Sequence, residues 1–338
     1  QVGRFAAHFN LGELLRVRLQ LVHYRKQRPE VAQQRIERPL IIVGLPRTGT
    51  TILFELIAQD PDMRFPASWE VARPMPPPQL SSYASDPRIA QVGRVLAWLE
   101  RLAPGFRVIH PIGAPLPQEC VYMQASSFLS DQFGYMYDIP QYRDWLLQQD
   151  MAASFRWHKH FLQHLQVDCP GQRWVLKTPA HLGHLDHLTE CYPDAAIVWT
   201  HRRPLDAVSS FCSLTTTLRA GFSDAIDPLA SGRDELEHSA NVVRAGLSAR
   251  ADLASRQIYD AAFSDICRDP VAVVRDIYRH FGWPLAEAAE QRMRAYLQNH
   301  PRNLYGEHHY TPAQFGLDGC SEREVFGDYL DSYASVLL

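Results

Sequence analysis

Leu40-Ile41-Ile42-Val43 is apolar at every position and stops at Gly44. A strand with one solvated face alternates, so a run apolar on both faces belongs in a buried parallel strand. Ile52–Gln59 follows with a helical pattern, and the chain around Gly44 reads strand, glycine-rich turn, helix. Two further runs repeat this arrangement. Arg173-Trp174-Val175-Leu176-Lys177 leads through Thr178-Pro179 into a helix from about Ala180 to Cys191. Ala195–Thr200 leads through His201-Arg202-Arg203-Pro204 into a helix reaching about Leu214. Gln257–Phe263, with a helix Pro270–Phe281, makes a fourth pair. Strands alternating with helices predict an α/β fold with a central parallel sheet flanked by helices on both faces.

The remaining segments frame that core. Leu11–Arg38 reads as a helix with Leu14, Leu15, Val17, Leu19 and Leu21 apolar, broken at Arg38-Pro39. Pro66–Pro87 reads as loop, because Pro74, Pro76, Pro77 and Pro78 remove backbone donors. Ile89–Leu102 reads as a helix, Gly105–Pro117 as an irregular wall or lid. Tyr142–Leu165 reads as one long helix whose buried side carries Trp145, Phe155, Trp157 and Phe161. The expectation is one domain over 1–338, with an N-terminal helical extension (about 1–37) and a helical insertion (about 88–170).

Composition narrows the partners. Hydrophobic residues make up 46% and charged residues 21% of the 338, and the formal net charge is −3. That balance gives no reason to expect nucleic acid or an anionic membrane, so an anionic ligand must be held by a local set of donors. The six cysteines are scattered without a C-x-x-C pair, which reads as thiols in a reducing compartment. No apolar run approaches the roughly 20 residues of a membrane span. Gln1–Arg25 lacks an apolar core followed by a small-residue cleavage site, and cytoplasmic residence is the expectation. Homo-oligomer formation is left open.

The turn Gly44-Leu45-Pro46-Arg47-Thr48-Gly49-Thr50-Thr51 has the spacing G-x-x-x-x-G followed by two hydroxyl residues. Glycines let successive backbone N–H groups face one anion, and the next helix adds its positive dipole end. A triphosphate loop carries Lys where Thr50 stands. Here the cation is Arg47, inside the loop, and no apolar strand ends in an Asp suited to Mg²⁺. The reading is a P-loop-like three-layer sandwich whose loop takes a single phosphate- or sulfate-like end group without a metal.

Arg47-Thr48-Gly49-Thr50-Thr51 resembles the 5′-phosphosulfate loop of sulfotransferases that use 3′-phosphoadenosine-5′-phosphosulfate (PAPS). The likeness is to the branch shared by tyrosylprotein sulfotransferases and bacterial small-molecule enzymes. Arg202 through Ser210 resembles the family segment that grips the donor's 3′-phosphate, with Arg202 and Ser210 at the matching ends. Leu176-Lys177-Thr178-Pro179 resembles the turn that sets a Lys near the oxygen bridging phosphate and sulfate. Gly306–Thr311, including His309 and Tyr310, is similar to a late loop that closes over the donor, though relatives carry Lys or Arg where Glu307 or His308 stands. The resemblance implies PAPS as donor, 3′,5′-adenosine bisphosphate as product, no metal, and donor contacts from Pro46, Arg47, Thr48, Gly49, Thr50, Thr51, Arg202, Ser210, His309 and Tyr310.

Sulfuryl transfer needs a base for the acceptor's proton and cations for charge on the bridging oxygen. Arg47 and Lys177 are the cations. Glu70, in Ala67-Ser68-Trp69-Glu70, is the first candidate for the base, because tyrosylprotein sulfotransferases place their catalytic Glu in this region. His110 and Glu119 are rivals. His181, His184 and His187 are spaced by three and spread over a broad arc of a helix, without the Glu of an H-E-x-x-H motif, so no metal is expected there. The acceptor is expected to be a small molecule with a hydroxyl or, less readily, an amine; aromatics between Phe128 and Tyr142 would suit an apolar or aromatic alcohol. The alternatives are a P-loop kinase or triphosphatase, against which Thr50 counts, and a non-catalytic nucleotide-binding scaffold.

Overall fold

Five strands form one sheet: β1 (Leu40–Gly44), β2 (Met63–Arg64), β3 (Arg173–Lys177), β4 (Ala196–His201) and β5 (Ile258–Ala262). Their order is β2-β3-β1-β4-β5, and every pairing is parallel. The computed structural model describes residues 2–102, 111–301 and 309–337.

β1 lies at the centre with all five residues buried, which is why its sequence shows no alternation. Successive side chains still leave by opposite faces. Ile41 and Val43 enter one core with Trp174, Leu176, Ile197 and Trp199. Leu40 and Ile42 enter the other with Val175, Ala196, Val198 and the helix α2 (Thr50–Ile57), through Leu53, Phe54, Leu56 and Ile57. Each such aliphatic side chain, fully buried, contributes about 1.5–3 kcal/mol, so the central strand is among the best-anchored parts of the chain.

The expected βα units are present, with displaced boundaries. The N-terminal helix α1 spans Val2–Gln27 and gives way to a 3-10 turn Pro29–Gln33. Pro29 disfavours a helical Arg28 and so ends α1 well before Arg38. The Pro-rich loop contains a short helix α3 (Ser68–Ala72) and a 3-10 turn Leu80–Ser85 ahead of α4 (Pro87–Leu102). The expected helix Tyr142–Leu165 is two helices, Pro140–Leu146 and Ala152–Gln166. The Asp150 carboxylate accepts from the Ala152 amide at 2.9 Å and starts the second. Trp145 belongs to the first and is half exposed, outside the buried aromatic side formed by Phe155, Trp157 and Phe161. After β3 the chain makes a 3-10 turn Pro179–His184 before the helix Leu185–Cys191, and after β4 a helix runs from Pro204 to Ala220.

Candidate active site

In parallel strands the carboxyl ends face one way, so the loops after β1, β3 and β4 meet along one edge of the sheet. β1 ends at Gly44, β3 at Lys177, β4 at His201.

The loop after β1 is held in a backbone shape that only certain residues tolerate. Gly44 has φ 141° and Gly49 φ 91°. A Cβ on Gly44 would stand 2.4 Å from Thr200 Oγ1, and one on Gly49 3.0 Å from Ile266 Cδ1. Arg47 is itself left-handed, at φ 70°, a conformation that costs about 1 kcal/mol or more in a non-glycine residue. The loop is stiffened from within: Thr48 Oγ1 donates to the Leu45 carbonyl at 2.6 Å and lies 2.6 Å from Thr200 Oγ1. Thr50 and Thr51 open α2, whose first-turn amides face the loop.

Three cations converge on this loop. Arg47 Nε donates to Ser210 Oγ at 3.2 Å, and Arg202 Nη1 donates to the Arg47 carbonyl at 2.9 Å. The Arg202 guanidinium also lies over the Phe263 ring, 4.5 Å from its centroid. Burial draws the Arg47 guanidinium down; nearby Tyr310 opposes this, Arg202 reinforces it and Glu119 opposes it. Arg47, Arg202, Ser210 and Tyr310 are therefore one neighbourhood, although Ser210 lies in a helix far along the chain. Lys177, almost fully buried, donates to Thr51 Oγ1 at 3.3 Å and forms an ion pair with Glu119. Thr178 Oγ1 donates to the other oxygen of that carboxylate at 3.3 Å.

Glu119 reaches this position because the chain ahead of it is tied to the segment around α3. Gln118 N donates to the Pro66 carbonyl at 2.7 Å, Ser68 N to Leu116 O at 2.9 Å and Trp69 N to Ala114 O at 3.0 Å. Glu70 stands apart from the loop group. It is fully buried and paired with Arg64 at 2.6 Å, and it accepts from the Ala67 amide at 2.8 Å and from Tyr83 Oη at 2.9 Å. Burial alone would lower the Arg64 guanidinium, but the Glu70 charge outweighs it and holds Arg64 above its ordinary value. Arg64 donates as well to the carbonyls of Cys169, Leu165 and Phe65 and lies 4.6 Å from the Trp174 ring centroid. Both Glu70 oxygens are thus committed to the protein itself. His110 lies outside the described residues, as do Gly306, Glu307 and His308; His309 follows them at the start of the next described segment. Thr200 was not singled out from sequence; its signal is a hydroxyl closing an otherwise apolar strand.

A cavity of about 230 Å³ adjoins the loop, lined in part by Leu45, Pro46, Tyr135, Tyr142, Pro179 and Ala180. It sits against both the phosphate-type loop and the turn after Lys177. Another cleft, about 270 Å³, lies between α1 and the helix Ala152–Gln166 and is lined by none of the candidate site residues.

A parallel sheet with a glycine-shaped loop after its central strand, and with Arg47, Lys177 and Arg202 gathered at that loop, defines a P-loop-like α/β protein. Residues 39–287 match the model of the sulfotransferase family, and the chain belongs to that family. It is 25% identical, over 308 residues, to the Omega-hydroxy-beta-dihydromenaquinone-9 sulfotransferase Stf3 of Mycobacterium bovis, covering 87% of this chain and 74% of that one. The crystal structure of sulfotransferase STF9 from Mycobacterium avium superposes with a TM-score of 0.89 at 29% identity, covering 98% of this chain and 86% of the other. Sulfotransferase STF1 from Mycobacterium tuberculosis gives 0.85 at 32% identity, covering 97% and 86%. Among the described residues no helix is long and apolar enough to cross a membrane.

Proposed function

We propose that this sulfotransferase moves the sulfuryl group of PAPS to a hydroxyl of a small, largely apolar acceptor, with Glu119 taking the acceptor's proton. The observation that carries the reading is the meeting of Arg47, Lys177, Arg202 and Ser210 around one glycine-shaped loop. Donors drawn both from the loop after β1 and from the segment after β4 suit a ligand with two phosphate-type ends. The loop amides, Thr50 and Thr51 take the 5′ end, Arg202 and Ser210 the 3′-phosphate, and Tyr310 covers the donor beside Arg47.

The step follows from the Glu119–Lys177 pair. The acceptor oxygen bonds to sulfur as the bond from sulfur to the bridging oxygen breaks, and that oxygen keeps the electron pair. The acceptor proton passes to the Glu119 carboxylate. As Glu119 becomes neutral, Lys177 loses the charge that held it, and its ammonium is free to stabilise the bridging oxygen together with Arg47. Base and electrophile are in this way coupled through one ion pair. Glu70 is assigned to holding the segment that carries Glu119, since it is fully buried against the Arg64 guanidinium, whereas Glu119, held by Lys177 and Thr178, keeps partial exposure. The cavity beside Leu45 and Pro46, with Tyr135 and Tyr142 on its wall, is the acceptor site in this reading. An alcohol with an apolar body fits that lining, and the relative named as acting on a hydroxylated dihydromenaquinone supports the class.

The test is thermal shift with 3′,5′-adenosine bisphosphate set against ATP with Mg²⁺, followed by a mass-spectrometric search for sulfated products from PAPS and a panel of alcohols. Stabilisation by the bisphosphate is expected through binding to the folded state. Stabilisation by ATP with Mg²⁺ alone would sink the donor assignment, and sulfated amines without sulfated alcohols would sink the acceptor class.

A further inference from the structure

Behind the Glu119–Lys177 pair lie three metal-ligating side chains that the transfer chemistry does not use. Cys120 follows Glu119 and opens the helix Cys120–Ala125, His158 belongs to the helix Ala152–Gln166, and His181 lies in the turn after Lys177. Cys120 and His158 are fully buried and His181 is 2% exposed. One ligand atom from each comes within 4.8 Å of the others. The Nε2 atoms of His158 and His181 are both buried without a hydrogen-bond partner. The large majority of buried polar side-chain atoms are paired, and two orphaned ring nitrogens gathered beside one thiol point to an occupant. The other ring nitrogen of His158 is fixed, with Nδ1 2.8 Å from Tyr192 Oη. That is the outer contact by which a ligating imidazole is oriented and its free lone pair directed to a metal.

We propose that Cys120, His158 and His181 form a buried three-coordinate site for a soft monovalent cation, Cu⁺, outside the transfer chemistry. Charge selects the ion. The cluster supplies one thiolate and two neutral rings, and Cu⁺ leaves the loaded site neutral whereas Zn²⁺ would leave a net positive charge buried. Binding forms one Cu–S and two Cu–N bonds, and the Cys120 proton leaves to solvent. Bonds of about 2.0–2.3 Å require the donors to close by about 1 Å, a side-chain adjustment. Because Cys120 adjoins Glu119 and His181 shares the turn that begins at Lys177, the ion braces the backbone on both sides of that pair.

The experiment is anaerobic competition for Cu⁺ against a chromophoric chelator, with the exposed Cys267 and Cys320 replaced by Ser. One Cu⁺ per chain is expected, with Cys120→Val and His181→Phe each weakening retention by about 100-fold or more. Circular dichroism checks the variants' folding. Should they not fold, Cu K-edge absorption on the parent decides: one sulfur and two imidazole nitrogens support the site, and any other ligand set overturns it. No retained Cu⁺, equal retention in folded variants, or preferential retention of Zn²⁺ also overturns it.

Discussion

Removing Glu70 tests whether a carboxylate expected from sequence to act as the base is instead structural. In Glu70→Ala the Arg64 guanidinium, whose side chain is 7% exposed, loses its carboxylate partner 2.6 Å away. Breaking a buried pair on one side costs about 3–5 kcal/mol, because the remaining charge is left uncompensated. The Ala67 amide and the Tyr83 hydroxyl also lose an acceptor, at about 1–3 kcal/mol for each group left unsatisfied. Against that, Arg64 keeps three carbonyl acceptors and its packing on Trp174. The terms overlap, and a net loss of about 4 kcal/mol is expected. Arg64→Met combined with Glu70→Leu removes both charges and should recover much of that loss. Urea denaturation of the parent, Arg64→Met, Glu70→Leu and the double variant closes the cycle, with Glu70→Ala and turnover per folded molecule measured alongside. Glu70→Ala with less than about 1 kcal/mol of destabilisation and turnover lowered as far as in Glu119→Gln would return the base to Glu70.

Glu119→Gln should lower kcat by about 10²–10⁴ with little change in melting temperature, read from product formation at saturating donor. Arg47→Ala and Lys177→Ala should lower kcat more than donor affinity, whereas Arg202→Ala should mainly weaken 3′,5′-adenosine bisphosphate, by about 10–100-fold in calorimetry. Gly49→Ala, at φ 91° with its new Cβ 3.0 Å from Ile266, should abolish that binding while leaving the circular dichroism spectrum unchanged. Acid should weaken the fold in two stages. Burial pulls His164 down to about 4, so below about pH 6.5 the unfolded chain takes up the proton first and stability begins to fall. Burial would raise Asp260, but His201 and Arg250 hold it down to about 2, so its contribution, about 2 kcal/mol, is present above about pH 4 and lost toward 2. Urea midpoints that rise between pH 6.5 and 4 would contradict the first stage, and unaltered acid sensitivity in Arg250→Ala the second.

The strand–turn–helix around Gly44 was legible in the sequence because a buried parallel strand leaves a continuous apolar run. Each of β1, β3 and β4 has an apolar core, and the residues at or just past their ends, Arg47, Lys177 and Arg202, fall on one edge once the strands pair. Ser210 could be found because it stands two turns into a helix whose start was already placed. What could not be read were features set by contacts between distant segments. Arg64 sits in a two-residue strand with no periodic signature, yet it determines what Glu70 can do. The tie between Pro66–Trp69 and Ala114–Gln118 is made largely by backbone hydrogen bonds, which side-chain patterns do not record.

The proposed assignment of the base to Glu119 rests on this division. A carboxylate can serve as base only where giving up its charge is tolerated, and that depends on which cation holds it. Glu70 meets an arginine that is buried, forked and supported by three carbonyls, so the pair is locked. Glu119 meets a lysine, a single-point cation at the mouth of the loop, and its side chain retains 14% exposure. A proton arriving there weakens one ion pair and strengthens the cation's hold on the leaving oxygen, whereas a proton on Glu70 would strand a buried guanidinium for no gain at the reacting centre. In the proposed mechanism Arg64 and Lys177, rather than the carboxylates themselves, decide which glutamate takes the proton.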